Sequence, residues 1–408
     1  MVRPERRTTG DIVAALVIAV VIAVGAGIIW WTSDARATQS RPASTPAPTL
    51  VPPTAVPSTL RQLWTAASAH TAVPVVAAGA VITGDGRTLA GHDPATGQTL
   101  WTFTRDRELC GVSWLSNYAL ALYPDKRGCG QVSTVDGSTG RRGPTRSGYA
   151  DDHVELSSDG VTVLAAGDSR LELWRSDMVR VIGFGEVDAR IKPGHVGVGA
   201  GCDLLSAAAS STAVSVLQSC PGQADVQLTL LRAADQDDEP ELRDVPQPGV
   251  TADSGARVLA VSDTSTAVYL PVPQPRVVIY DDAGTEVSSA NLTEPPAPWG
   301  GATGAVSKAG GLITWWTGRS VVVFNANRLA YRYTIGGDGP AAPLGPATMM
   351  ANKLLIPVAG GLGVFEASAG TFEHTIAVDR PATPGPVVPG VAGTTLLEQR
   401  GEQLVALG

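Results

Sequence analysis

The residues in this sequence best suited to chemistry are four cysteines and five histidines, and their spacing limits what they can do. Cys110 and Cys129 lie 19 residues apart, and Cys202 and Cys220 lie 18 apart. Outside the cytoplasm an even cysteine count favours disulfides, and four cysteines allow three connectivities. The preferred pairing is Cys110–Cys129 with Cys202–Cys220, because each pair then stays within one of the repeat units described below. Zinc is the rival, but there is no C-x-x-C and no histidine pair nearby. The histidines, His70, His92, His153, His195 and His374, are scattered without metal-ligand spacing. No G-x-S-x-G elbow and no phosphate-binding glycine loop occurs. The acidic run from Asp235 to Glu241 has the charge for calcium, yet reads more simply as a solvated loop. The sequence therefore predicts no catalytic residue, no cofactor and no metal.

What positions these residues begins at the N-terminus. Ile12 to Trp31 is an unbroken run of uncharged residues. As a helix it would span about 30 Å, the thickness of a bilayer's hydrocarbon core. Arg3, Arg6 and Arg7 precede it, which places the N-terminus in the cytoplasm, and Trp30 and Trp31 sit at the far end where indoles favour the headgroup layer. The competing reading is a signal peptide cleaved after Ala35-Arg36-Ala37, although the apolar run is longer than a usual signal core. From Ala37 to Ser58 six prolines alternate with Ser, Thr and Ala. This stretch predicts an extended spacer, partly polyproline II, reaching on the order of 70 Å from the membrane. The expected divisions are a cytoplasmic tail (1–11), a transmembrane helix (12–31), a proline-rich linker (32–58) and a folded domain (59–408).

The net charge is −8, and no basic block follows the first seven residues, which argues against a nucleic-acid partner. Only Lys126, Lys192, Lys308 and Lys353 are lysines among thirty basic residues. That bias fits a GC-rich bacterial coding sequence, actinobacterial in type.

The folded part repeats. Short apolar runs flank a turn, and aligning the first turn position gives Asp93, Asp136, Arg175, Arg232, Asp281, Asn325, Glu366 and Gly408, with steps from about 39 to 57 residues. Most of these positions follow two further strand-like runs. Four short strands in about 40–45 residues is the period of a propeller blade. The last unit stops before its outermost strand, while Leu60 to Ala67 has no inner strands of its own. Its Leu63-Trp64-Thr65 matches Leu100-Trp101-Thr102. The sequence thus predicts an all-β, eight-bladed propeller closed by an N-terminal strand. Seven blades is the alternative if the long unit between Arg175 and Asp281 is misread. Trp64, Trp101, Trp114, Trp174, Trp299, Trp315 and Trp316 are expected to pack between blades. Trp315 and Trp316 must face opposite sides of their strand.

Asp93-Pro94-Ala95-Thr96-Gly97 with Leu100-Trp101-Thr102-Phe103, and next Asp136-Gly137-Ser138-Thr139-Gly140, resemble the PQQ-like β-propeller repeat. That repeat is shared by quinoprotein alcohol dehydrogenases and BamB-like proteins. The resemblance extends over about residues 60–408 as architecture, but only these two units match closely. It implies a blade-stabilising turn, not a quinone site. The dehydrogenases of the family resemble larger chains with calcium ligands, a catalytic aspartate and often an adjacent cysteine pair, and no such set maps onto this sequence. The expected function is a membrane-anchored, extracytoplasmic, non-catalytic scaffold that binds an envelope protein. The alternatives are a quinoprotein or other propeller enzyme, or a module binding an envelope glycan or small ligand.

Overall fold

The computed structural model describes residues 8–31, 33–186, 197–237, 239–297, 304–382 and 385–408. Trp299, His195, Lys192, Arg3, Arg6 and Arg7 lie outside the described residues. The apolar run forms one helix, Thr9–Trp31, with no buried residue. Its first turn is closed by Asp11, whose carboxylate accepts the backbone N–H of Thr8 at 2.8 Å. The helix is long and apolar enough to cross a membrane.

Beyond it, the described residues form eight separate antiparallel sheets. In blade 1 the strands Val75–Ala77, Ala80–Asp85, Thr88–His92 and Thr99–Thr104 run outward in sequence order. The later blades repeat this pattern. The inner strands of blades 2 to 8 are Gly111–Leu115, Glu155–Ser158, Asp203–Ala209, Arg257–Val261, Val306–Ala309, Thr348–Met350 and Val387–Ala392. Blade 8 takes its outermost strand from the other end of the chain. Gln62–Ala67 pairs antiparallel with Gln403–Leu407, Thr65 opposite Val405. The unpaired edge of the last unit is thereby covered within the ring.

Antiparallel alternation gives the disc two distinct faces. The turns joining first to second and third to fourth strands share one side, here called the hairpin face. The turns joining second to third strands, and the connections between blades, form the crossover face.

The turns explain the repeat. In every blade the aligned position ends the third strand or follows it directly. The Asp93 carboxylate accepts the N–H groups of Ala95 and Thr96, and Asp136 accepts that of Thr139 at 2.8 Å. In blades 6 and 7, where aspartate is replaced, the same job passes to a similar oxygen. Asn325 accepts the N–H groups of Asn327 and Arg328, and Glu366 accepts that of Ala369 at 2.9 Å. In blade 3 the cap moves two residues along, from Arg175 to Asp177, which accepts the Val179 N–H. In these three blades the motif's loss in sequence is therefore not a loss of turn chemistry.

The core is a ring of clusters between neighbouring blades. Trp315 packs with residues of blade 5, including Tyr269 and Ile279. Its neighbour Trp316 packs with residues of blade 7, including Leu354 and Ile356. Cover on both sides of a blade lets adjacent tryptophans both be buried. Trp101 and Trp174 are buried as well, and Trp64 and Trp114 are half-buried.

One expectation needs correction. The proline-rich stretch does not run free as a spacer. Gln39–Arg41 is a fifth strand on blade 1, pairing with the outermost strand, Gln39 opposite Thr104 and Arg41 opposite Thr102. The chain then crosses the hairpin face. The N–H groups of Ala43 and Ala47 donate to the carbonyls of Thr139 and Ser138 in the blade 2 turn, both at 2.9 Å. Ala47, Leu50, Pro53 and Val56 are half-buried at a spacing of three, the repeat of a polyproline II strand. Leu50 packs on the cluster at blades 8 and 1, and Val56 and Leu60 on the one at blades 7 and 8. The composition forecasts an extended chain. What it hides is that one edge of that chain carries enough apolar groups to dock.

Candidate functional site

A central cavity of about 960 Å³ opens on the hairpin face. Its wall is built by the inner strands of blades 3 to 6. An inner strand shows alternate residues to the channel, and these include the small side chains of Ser157 in blade 3 and of Ala207 and Ala209 in blade 4, with Val261 in blade 5 and Val306 in blade 6. Leu205 adds a larger apolar side chain and is 37% exposed. Val161, on the blade 3 turn at the mouth, is 62% exposed. The proline-rich strap lies over the opposite half of the same face, against turns of blades 1, 2 and 8.

Six charged residues line the cavity: Glu155, Asp159, Arg257, Asp263, Lys308 and Arg328. Glu155 and Arg257 begin their inner strands and lie toward the crossover end, while Lys308 sits nearer the mouth. Burial lowers the pKa of Arg257, and the attraction of Glu155 opposes that effect. At the rim, the Asp159 carboxylate is occupied by its own turn, accepting the N–H groups of Val161 and Thr162 at 2.8 and 2.7 Å. Among the described residues, no group of three or more His, Cys, Asp or Glu is placed to hold a metal ion.

The cysteines lie elsewhere. Cys110 is bonded to Cys129, and Cys202 to Cys220, with Cα separations of 6.1 and 4.3 Å. Each bridge stays inside one blade, blade 2 or blade 4, and each sits toward the crossover face, away from the cavity mouth. His92 is drawn into the blade 1 turn. Its Nε2 meets Thr83 Oγ1 at 2.9 Å and its Nδ1 meets the Gly97 carbonyl at 3.2 Å. Burial lowers its pKa and the Gly97 contact resists the shift. Asp237, in the acidic run from Asp235 to Glu241, is paired with Arg180 at 2.8 Å.

Two buried charge clusters were not readable from the sequence. Glu398 in blade 8 pairs with Arg400 and with Arg380, whose Nη1 also donates to the carbonyls of Val358 and Gly361 in blade 7. Glu172 in blade 3 pairs with Arg146 of blade 2 and with Arg180, and accepts the Trp174 indole N–H. Both clusters tie blades together, and neither opens on the cavity mouth. Each cluster reaches across to a neighbouring blade, through Arg380 or Arg146, and that link leaves no local spacing in the sequence.

Comparison with solved structures places this architecture among propellers. The chain is similar to BamB from Moraxella catarrhalis, with 14% identity, TM-score 0.46, and coverage of 86% of this chain and 97% of that one. It is similar also to Sqt1 from Saccharomyces cerevisiae, with 10% identity, TM-score 0.52, and coverage of 85% and 97%. At these identities the likeness concerns the fold alone. No family model matches the chain, and no curated protein does.

Proposed function

We propose that this chain is a membrane-anchored, extracytoplasmic propeller of the PQQ-like type, acting as a non-catalytic scaffold that binds an envelope protein. The supporting observation is the open half of the hairpin face. A cavity of about 960 Å³, lined largely by Ala, Ser, Gly and Val, shows Leu205 and Val161 to solvent. Exposed apolar surface at a concave site suits protein association, while the opposed pair Glu155 and Arg257 suits positioning better than proton transfer.

In this reading residues 1–11 are cytoplasmic, residues 12–31 of the helix stay uncleaved as the anchor, and the propeller lies outside. Two disulfides fit an oxidising compartment. The test is crosslinking in intact cells followed by affinity purification of the full-length chain, with residues 1–58 alone as control. A protein recovered only with the full-length chain supports the scaffold. Equal recovery from both removes the propeller from the interaction.

A further inference from the structure

The strap sorts its side chains by chemistry. From Pro42 to Leu60 no residue is charged, and every polar side chain is a hydroxyl: Ser44, Thr45, Thr49, Thr54, Ser58 and Thr59. All six of these residues are exposed. The half-buried positions that dock on the hairpin face, Ala43, Ala47, Leu50, Pro53 and Val56, include none of them. In a polyproline II chain residues three apart share an edge. Thr49 and Thr54 fall between the docked positions 47, 50, 53 and 56, and so point away from the disc.

The fold makes no use of these hydroxyls. In the blade turns a threonine hydroxyl has a partner: Thr96 donates to Asp93 at 2.8 Å, and Thr139 to Asp136 at 2.7 Å. None of the six on the strap is hydrogen-bonded to another described residue. Solvation alone would not select hydroxyls. An edge that only has to stay wet takes Lys, Glu, Asn or Gln as readily, and the strap has none of these between Pro42 and Leu60. The prolines keep the backbone extended and remove N–H groups that helix or sheet would need. Chain rich in Ser, Thr and Pro, held outside the cytoplasm, has the composition of an O-glycosylated stalk.

We propose that the outward edge of the strap is an O-glycosylation site, with hydroxyls among these six as acceptors and an activated sugar phosphate as donor. The hydroxyl oxygen attacks the anomeric carbon of the sugar. A glycosidic C–O bond forms, and the bond from that carbon to the phosphate oxygen breaks. The hydroxyl proton passes to a base on a separate transferase, and the phosphate leaves with the electron pair. Because the apolar edge stays docked, the sugars stand over the strap-covered half of the hairpin face and leave the cavity half clear. This rests on the extracytoplasmic placement proposed above.

The test uses the full-length chain purified from the membranes of its native host. Trypsin cuts after Arg36 and Arg61 but not at Arg41, which precedes a proline, so residues 37–61 leave as one peptide. Mass spectrometry should find this peptide heavier by one or more whole sugars, with fragments placing them on the strap hydroxyls. The increment should vanish when Ser44→Ala, Thr45→Ala, Thr49→Ala, Thr54→Ala, Ser58→Ala and Thr59→Ala are combined. In parallel, a membrane-impermeant amine reagent is applied to spheroplasts, and labelling is read at Lys126 and Lys308, both exposed. A bare peptide with these lysines labelled overturns the glycosylation and leaves the placement standing. A bare peptide with neither labelled overturns the placement, and the glycosylation with it. Sugars found only on blade hydroxyls also overturn the proposal. The unaltered chain gives the deciding mass, so the test stands even if the combined variant does not fold.

Discussion

The indole N–H of Trp101, on the outermost strand of blade 1, donates to the carbonyl of Gly137 in the blade 2 turn at 2.6 Å. Gly140, four residues from that turn's aspartate, lies against the same ring, where an added Cβ would come 2.4 Å from the Trp101 Cβ. Its φ of +70° also disfavours a side chain. The relationship recurs around the ring. Trp64 of blade 8 donates to Pro94 of blade 1 at 2.8 Å, with Gly97 beneath it. Tyr333 of blade 6 donates to Ala367 of blade 7, with Gly370 beneath it. The repeat motif is thus a latch between blades: the aromatic is on one and the glycine on the next.

Breaking this latch should be costly. Trp101→Ala is expected to lose about 3–5 kcal/mol, and Trp101→Phe, which loses the hydrogen bond but keeps a ring, about 1–3 kcal/mol. Gly140→Ala should cost about 1–3 kcal/mol through overpacking and backbone strain. Urea unfolding of the double variant should show less than the sum, because each change damages the same contact.

Glu398 should matter more than its chemistry suggests. It is 1% exposed between Arg380 and Arg400. Glu398→Ala leaves two buried guanidiniums without their carboxylate, at a cost of about 3–5 kcal/mol. Thermal unfolding of the purified propeller measures it. A loss below about 1 kcal/mol would mean the cluster is not a blade 7 to blade 8 tie.

His92 sets an acid-side sensitivity. Its folded-state pKa is lowered by burial, so the folded protein holds the ring neutral at pH values where the unfolded chain has begun to protonate. Stability from this site is complete above the unfolded value, near 6.5, and is lost as pH falls through the folded value. His92→Gln should reduce the fall in stability between about pH 7 and pH 5. Denaturant titrations at those two pH values, compared with the unaltered chain, read the difference.

The strap makes its own prediction. Replacing residues 42–57 by Gly and Ser at constant length removes the apolar edge formed by Ala47, Leu50, Pro53 and Val56. Limited proteolysis should then cut within this segment several-fold faster, with the propeller left intact. Unchanged cleavage would mean the segment is not held on the face in solution.

Much of the architecture was legible because it is local. The Asp136-to-Gly140 turn, the two cysteine spacings and the Leu-Trp-Thr match at residues 63–65 each sit inside one or two short windows. The unit between Arg175 and Asp281, long enough to leave seven blades open, resolves into ordinary four-stranded blades because its extra length lies in connections. What stayed hidden is assembled across repeats. The cavity takes its wall from four blades, the Glu398 cluster spans two, and the strap docks on turns contributed by residues 79, 138–139 and 393. None leaves a spacing in the chain. The strap was doubly concealed, since a proline-rich composition describes its conformation correctly and says nothing of a surface that fits it.

A scaffold of the proposed kind binds its protein partner at the open half of the hairpin face. The most direct measurement is site-specific photocrosslinking in intact cells, with a crosslinking amino acid at Val161 beside the cavity mouth and, separately, at Asp253 on the crossover face of blade 5. One discrete adduct from position 161, absent from position 253 and lost when Leu205→Glu is added, is the predicted result. Adducts that form equally from both positions, or none from 161 while 253 reacts, would contradict it.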